Sequence, residues 1–427
     1  MNRISTVAFA AALLGAGGMA AAPAIAKDKQ AQAPGLKISP DVLKVAQPAQ
    51  VAIRAKDYAT AEPLVAQSEA AAKTDQDKYV AAALRYDLES GKLYAAQDAN
   101  PKAPINETVL AAPLDVLIAN PNTPADVKPR YVFRRGALAF NSKQYPQAIQ
   151  YFQQAKQLGY TDSDIDLQII KAKMESGDVA GGSADLRATI DRMNAAGQKA
   201  PEDYYRYAIG RSNAIHDKAG TVAWLGRFAA AYPTSKNWRD VIVMYGLQQQ
   251  PIDTLDKSQR IDLFRLMHDS KSLADQYDYE EYAQAAIDRG LPSEAASILR
   301  EGQASGKLAA GNRTVTEMLA SANQAARGEG SLAPLEAKAR ASADGKLASQ
   351  TADGYLNQGN NAKAADLYRV ALTKGGVNAD DVNTHLGIAL ARTGDKAGAQ
   401  AAFGAVKGTP RANIAALWSA WLTSSPA

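Results

Sequence analysis

The sequence has no cysteine and only three histidines among its 427 residues. Without cysteine there is no disulfide framework, no thiolate metal site and no cysteine nucleophile. His216, His268 and His385 are never paired at i, i+4, and no HExxH occurs, so a zinc hydrolase centre has no ligand set to build from. Aromatic residues make up only 7%. With abundant alanine, that favours thin, closely packed helices over a β-sandwich. Runs of one charge are missing too. The 48 Lys and Arg and the 44 Asp and Glu are interspersed, net +4, which leaves no basic arm for nucleic acid and no membrane patch. Beyond the N-terminus no stretch approaches the roughly 20 apolar residues that cross a bilayer.

The N-terminus reads as a secretory signal. Arg3 supplies a short positive region, an apolar small-residue stretch covers 7–22, and Ala24-Ile25-Ala26 fits the small-x-small cleavage pattern, which predicts removal after Ala26. Gly15, Gly17, Gly18 and Pro23 make the stretch a poor permanent span. No later cysteine is present to carry a lipid. The expectation is a periplasmic chain with neither a transmembrane segment nor a lipid anchor, a compartment that suits the absence of thiols.

What is present is a helical rhythm. Residues 130–160 read as two amphipathic helices around a turn at Lys143-Gln144. Val132, Gly136 and Ala139 share a face of the first, and Ala148, Phe152 and Ala155 a face of the second. Small residues at Gly136 and Ala148 let the helices approach closely, with Phe152 closing the gap. One hairpin cannot bury its own stripe and needs neighbours like itself. The small residue early in each second helix recurs as Ala148, Gly182, Thr221, Ala295, Ala333, Ala364 and Ala399, at gaps of 34, 39, 74, 38, 31 and 35. The gap of 74 spans two units, the extra pair covering 237–248 and 255–268. A bulky residue usually follows the marker by four, as Leu186, Leu225, Leu299, Tyr368 and Phe403 do.

This pattern resembles the tetratricopeptide repeat family over roughly 129–410, with an outlying unit near Ala61. Leu386, Gly387, Leu390, Gly394, Ala399, Phe403 and Pro410 carry it best in the C-terminal part. The Gly182 unit and the Ala333 unit, where Ala337 replaces the bulky residue, are degenerate. The resemblance implies an all-α, right-handed superhelical solenoid of antiparallel helix pairs, without cofactors, binding a protein or peptide partner along a concave groove. The domain plan is a signal peptide (1–26), a flexible leader (27–40), an N-terminal helical lobe (41–99), a proline-rich irregular break (100–129), the repeat array (130–410) and a capping helix with tail (411–427) that covers the open end of the array through Ile414, Leu417, Trp418 and Trp421.

Carried over onto this chain, the groove-facing positions of the family fall on Arg130, Phe133, Arg134, Phe140 and Asn141, then Lys171, then Arg206, Tyr207 and Asn213. Arginine and aromatics serve as anchors at interfaces, and asparagine bonds an extended backbone. The competing reading packs Phe133 and Tyr207 between units and leaves the arginines solvated. No catalytic group stands out. His216-Asp217 and His268-Asp269 echo metal-dependent phosphohydrolases, but placement at helix ends explains them more cheaply. Glu89-Ser90 and Glu175-Ser176 lack the segment that follows the catalytic dipeptide of lytic transglycosylases, and 302–307 has the wrong spacing for a phosphate loop. The expectation is a non-enzymatic, metal-free scaffold of the cell envelope. The runner-up is an accessory subunit or enzyme of peptidoglycan or polysaccharide metabolism or export.

Overall fold

The computed structural model describes residues 36–102, 104–161, 165–309 and 311–424, and among them every regular element is helical. The expected signal peptide lies outside the described residues, as do 27–35 of the expected leader. The leader's last residues are not free. Leu36 and Ile38 pack on the core, and the Ser39 amide and hydroxyl both donate to the Asp77 carboxylate, at 2.8 and 2.6 Å. Asp77 is fully buried, and a buried carboxylate must find donors. It takes them from this strand of backbone and from the capping box it forms with Thr74.

The chain forms two compact units, divided between Ala196 and Gly197. In the first, α1 (Pro40–Arg54) and α2 (Tyr58–Ala71) form a hairpin against the long α3 (Asp75–Ala99), followed by a 3-10 turn (Glu107–Leu110) and α4 (Ala111–Ala119). Then come the hairpins α5 (Lys128–Asn141) with α6 (Tyr145–Gln157) and α7 (Ile165–Glu175) with α8 (Val179–Ala195). The proline-rich stretch 100–129, expected as a break, instead joins what lies on either side. Leu110 and Leu114 pack with Leu138 against Tyr86 and Tyr131, Leu117 enters the α1–α3 core, and Asn120 Nδ2 donates to the Asp75 carbonyl at 2.7 Å. Pro129 sits in the first turn of α5 and Pro113 in that of α4, while the other four lie in the turns and coil between helices.

The second unit runs α9 (Glu202–Ala214), α10 (Lys218–Ala231), α11 (Ser235–Ile242) continued by a π-helical turn (Val243–Leu247), α12 (Lys257–Asp269), α13 (Gln276–Asp288), α14 (Pro292–Ala304), α15 (Arg313–Gly328), α16 (Ala333–Ala341), α17 (Lys346–Asn357), α18 (Asn361–Lys374), α19 (Ala379–Arg392), α20 (Lys396–Ala405) and α21 (Arg411–Ser424). The hairpins are α9/α10, α13/α14, α17/α18 and α19/α20. Both units are therefore built as a helical-repeat solenoid is, from antiparallel pairs stacked on neighbouring pairs.

One turn design serves most hairpins. A left-handed residue ends the first helix and the next residue caps the second. Lys56, His216, Gly177, Gly359 and Gly394 take positive φ. After them Asp57, Asp217, Asp178, Asn360 and Asp395 accept the amide three residues on. This accounts for His216-Asp217: the histidine turns the chain and the aspartate caps α10.

Two further expectations need correction. The Ala333 repeat is not a hairpin, because α15 packs on α14 and α16 on α17. Only Val315 and Ala322 of α15 and Ala339 of α16 are buried, too little apolar face for the two to hold each other. The expectation for α21 is too narrow: it packs on the last hairpin, α19/α20, but it also lies along α10 and touches α12. Gly226 of α10 gives it room near Ala420, and the fully buried Trp418 stacks on Phe403 and donates through Nε1 to the Asp262 carbonyl at 3.2 Å.

Candidate functional site

The expected groove residues divide between the units and are largely engaged. In the first unit Phe133 stacks on Tyr160, ring centroids 4.5 Å apart, and leans on Phe152 at 5.3 Å. Arg134 Nη2 donates to Glu107 Oε1 at 2.6 Å, and Asn141 Nδ2 to Glu107 Oε2 at 3.0 Å. Phe140 packs edge-on against Tyr145. Arg130 is exposed and Lys171 half-buried. In the second unit Arg206 bonds Glu202 at 2.6 Å and lies over the Phe228 ring, Tyr207 is half-buried, and Asn213 is exposed. Phe133 and Arg134, expected as the anchors for a partner, are internal packing and an internal ion pair. The helical spacing that suggested a groove face is the same spacing that builds an interface between hairpins.

An open groove lies one hairpin earlier. On α3 Lys78, Ala81, Ala82, Arg85 and Glu89 follow the three- and four-residue spacing of one helix face. Glu69 of α2 and Ala72, just past its end, wall this face on one side. Val109, Ala112, Pro113 and Val116 of the 3-10 turn and α4 wall it on the other. The floor is low because alanine is short, and the resulting groove has a volume of about 650 Å³. Val109 and Val116 remain 43% and 45% exposed on its wall. Its charges are already spoken for. Arg85 reaches Glu69 at 2.7 Å, Glu62 at 2.5 Å and Glu89 at 3.2 Å, and Lys92 joins Glu62. The Glu69 and Glu62 carboxylates hold the Arg85 guanidinium firmly charged against the opposing cost of burial. The groove therefore offers apolar contact within a neutralised rim.

The second unit has a polar centre. Asp262 of α12, fully buried, accepts from Arg411 Nη1 at 2.5 Å and Arg265 Nη1 at 3.1 Å, and faces His385 Nε2 at 3.4 Å. Arg265 forks onto both oxygens of Glu294, at 2.8 and 2.7 Å, and Tyr282 donates to the same carboxylate. His385 Nδ1 meets Asp353 at 3.0 Å. Burial lowers the His385 pKa, but Asp262 and Asp353 outweigh it and hold the imidazolium up to about 9. Near one end of this network His268 bridges Asp269 at 2.7 Å and Glu301 at 2.8 Å, and Arg392 forks onto Asp269 at 2.8 and 3.3 Å. Burial raises the Asp269 pKa, yet Arg392 and His268 bring it down to about 2. His268 and Arg392 line a cavity of about 600 Å³ together with Glu294, Ser297, Asn357 and Asn361. The sequence signals only one corner of this network, the His268-Asp269 dipeptide, which reads as a helix-end feature. Its other partners are scattered charges on amphipathic helices, and Asp262 and Arg411 stand 149 residues apart.

Comparison with known proteins adds little to these geometries. No family model matches the chain, and no curated protein matches its sequence. Among solved structures it is similar to Naa15/Naa10 bound to HypK-THB (14% identity, TM-score 0.27, covering 85% of this chain and 52% of that one). It is also similar to the pentatricopeptide repeat protein PPR10 from maize (13%, 0.27, 87% and 59%) and to the APC/C hetero-tetramer Cut9-Hcn1 (13%, 0.20, 85% and 80%). The chain thus spans roughly half the length of the first two. The assignment to an all-α helical-repeat architecture rests on the hairpins described above.

Proposed function

We propose that the protein is a non-enzymatic interaction scaffold of the cell envelope, exported by the N-terminal signal, which holds an apolar segment of a protein partner in the α3 groove. The observation that carries this reading is the groove itself: an alanine floor between two helical walls, with Val109 and Val116 left about half exposed. Covering each valine is worth about 1 kcal/mol, and the short floor admits larger side chains from the partner. Because Arg85 is paired with its own glutamates, attraction by charge contributes little, and binding is expected to vary only slightly with salt.

A random peptide library displayed on phage, panned against the mature chain, tests this. Enriched peptides should carry two or more large apolar residues at helical or alternating spacing. Their affinity for the Val109→Asp, Val116→Asp double variant should fall at least about tenfold, roughly 1.4 kcal/mol, with an unchanged melting temperature. Peptides that bind both proteins equally would remove the groove from the account. Cleavage of peptidoglycan or another glycan by the purified chain would overturn the non-enzymatic reading.

A further inference from the structure

The polar cleft beside His268 and Arg392 is distinct from the α3 groove. Its main chamber, about 600 Å³, has the size of a small-ligand site and lies where the C-terminal ends of α12, α17 and α19 meet α14. A second chamber of about 480 Å³ adjoins it over the α17–α18 turn, and the two share Gln358, Gly359 and Asn361.

The carboxylates of the lining are occupied, whereas its cations keep donors open. Both oxygens of Asp269 are taken by Arg392 and His268, and both oxygens of Glu294 by Arg265, with Tyr282 as a further donor. Two more carboxylates stand behind the lining. Glu301 holds the other nitrogen of His268, and Glu329 accepts from Asn357 and Ser293. Arg392 binds Asp269 through Nε and Nη2 alone. Its Nη1 has no partner among the described residues and keeps accessible surface. Arg300, exposed on the wall, bonds only the Asn323 carboxamide, through Nη2, and pairs with no carboxylate among the described residues. Burial lowers the His268 pKa, but Asp269 and Glu301 outweigh it and favour the charged imidazolium.

The start of α18 adds to this. Asn360 caps the helix by accepting the Lys363 amide, and the Asn361 and Ala362 amides ahead of it have no acceptor within the helix. Both residues line the second chamber, where the positive end of the helix dipole favours negative charge.

A cation entering this cleft has to compete with arginines for the carboxylates. A neutral ligand leaves Arg300 without a counter-charge. An oxyanion supplies only acceptors, and its bonds to guanidinium are about twice as strong as neutral ones. We propose that this cleft binds a small organic anion through its carboxylate or phosphate group, held by Arg300 and by Arg392 Nη1. The inference stands on the cleft alone and does not depend on the partner reading of the α3 groove.

The test is calorimetric titration of succinate, citrate, glutamate, inorganic phosphate and glycerol phosphate, with succinamide as the neutral isostere. Each is titrated into the full chain and into Arg300→Gln, Ser297→Glu and Arg313→Gln. All three positions are exposed, so the variants should keep the wild-type melting temperature. Arg313 lies outside the cleft, and its variant removes the same charge as Arg300→Gln. At least one anion should bind in the micromolar to millimolar range, weakened at least about tenfold by either cleft substitution and less than about twofold by Arg313→Gln. Raising sodium chloride from about 20 to about 500 mM should weaken it as well. A preference for carboxylates over phosphates, or the reverse, upholds the proposal and identifies the group. The proposal is overturned if none of the anions binds, if succinamide binds as tightly as succinate, if both cleft variants bind like wild type, or if Arg313→Gln weakens binding as much as Arg300→Gln. Failure to select groove peptides, with anion binding retained, would remove only the partner reading.

Discussion

At Gly387 a methyl group has nowhere to go. A Cβ built there would stand 2.4 Å from Phe403 Cε1 and 2.6 Å from Cδ1, and Phe403 is itself buried and stacked on Trp418. Gly136 meets Phe152 in the same way at 2.8 Å. Both contacts follow from the sequence pattern, in which a small residue on the first helix faces an aromatic on the second. Gly387→Ala should therefore destabilise the second unit by about 1–3 kcal/mol in urea unfolding. Gly210 gives the opposite sign. It lies inside α9 with no atom within 4 Å of an added Cβ, so Gly210→Ala should stabilise by about 0.5–1 kcal/mol. Equal effects at the two positions would mean that helix propensity, rather than close approach, decides both.

Between elements, side chains far apart in the sequence govern. His385 joins α19 to Asp262 of α12 and Asp353 of α17. Its folded pKa, about 9, stands above the ordinary 6.5, so the stability it contributes is complete below pH 6.5 and is lost as pH rises through 9. The melting temperature of the second unit should fall across that window, and His385→Asn should flatten the fall while lowering the melting temperature at pH 6. The network is no evidence of great stability, since burying ions costs nearly what pairing them returns; it joins α12, α14, α17, α19 and the start of α21. The α21 helix works at the same scale. A chain ending at Pro410 loses Trp418 from its place beside Phe403 and uncovers the face of α10 at Gly226. It should lose the cooperative transition of the second unit and leave that of the first intact in calorimetry.

For the whole molecule the division at 196/197 falls in an exposed run, 194–199, that includes the left-handed Gly197. Limited tryptic digestion should cut first after Lys199 and yield two resistant fragments, each with its own melting transition. Prior cleavage elsewhere, or a fragment that unfolds on release, would count against independent units. The sequence pattern placed the division at 100–129 instead, because six prolines there resemble a linker. Tertiary packing reverses that reading through Leu110, Leu114 and Leu117, which a proline count does not weigh.

The sequence by itself determined the helices, most of the hairpins and their turns, because helical period, small-residue contacts and caps are local and recur every 31 to 39 residues where the pattern is kept. It could not determine which faces stay open. Phe133 and Arg134 have the composition of a binding surface, yet they are consumed by Tyr160 and Glu107. The α3 groove is lined by alanines and two valines, which any core helix also carries. The polar cleft arises where helix ends 123 residues apart meet at Asp269 and Arg392. Which surface stays open depends on how hairpins pack against one another, and only the tertiary structure decided that.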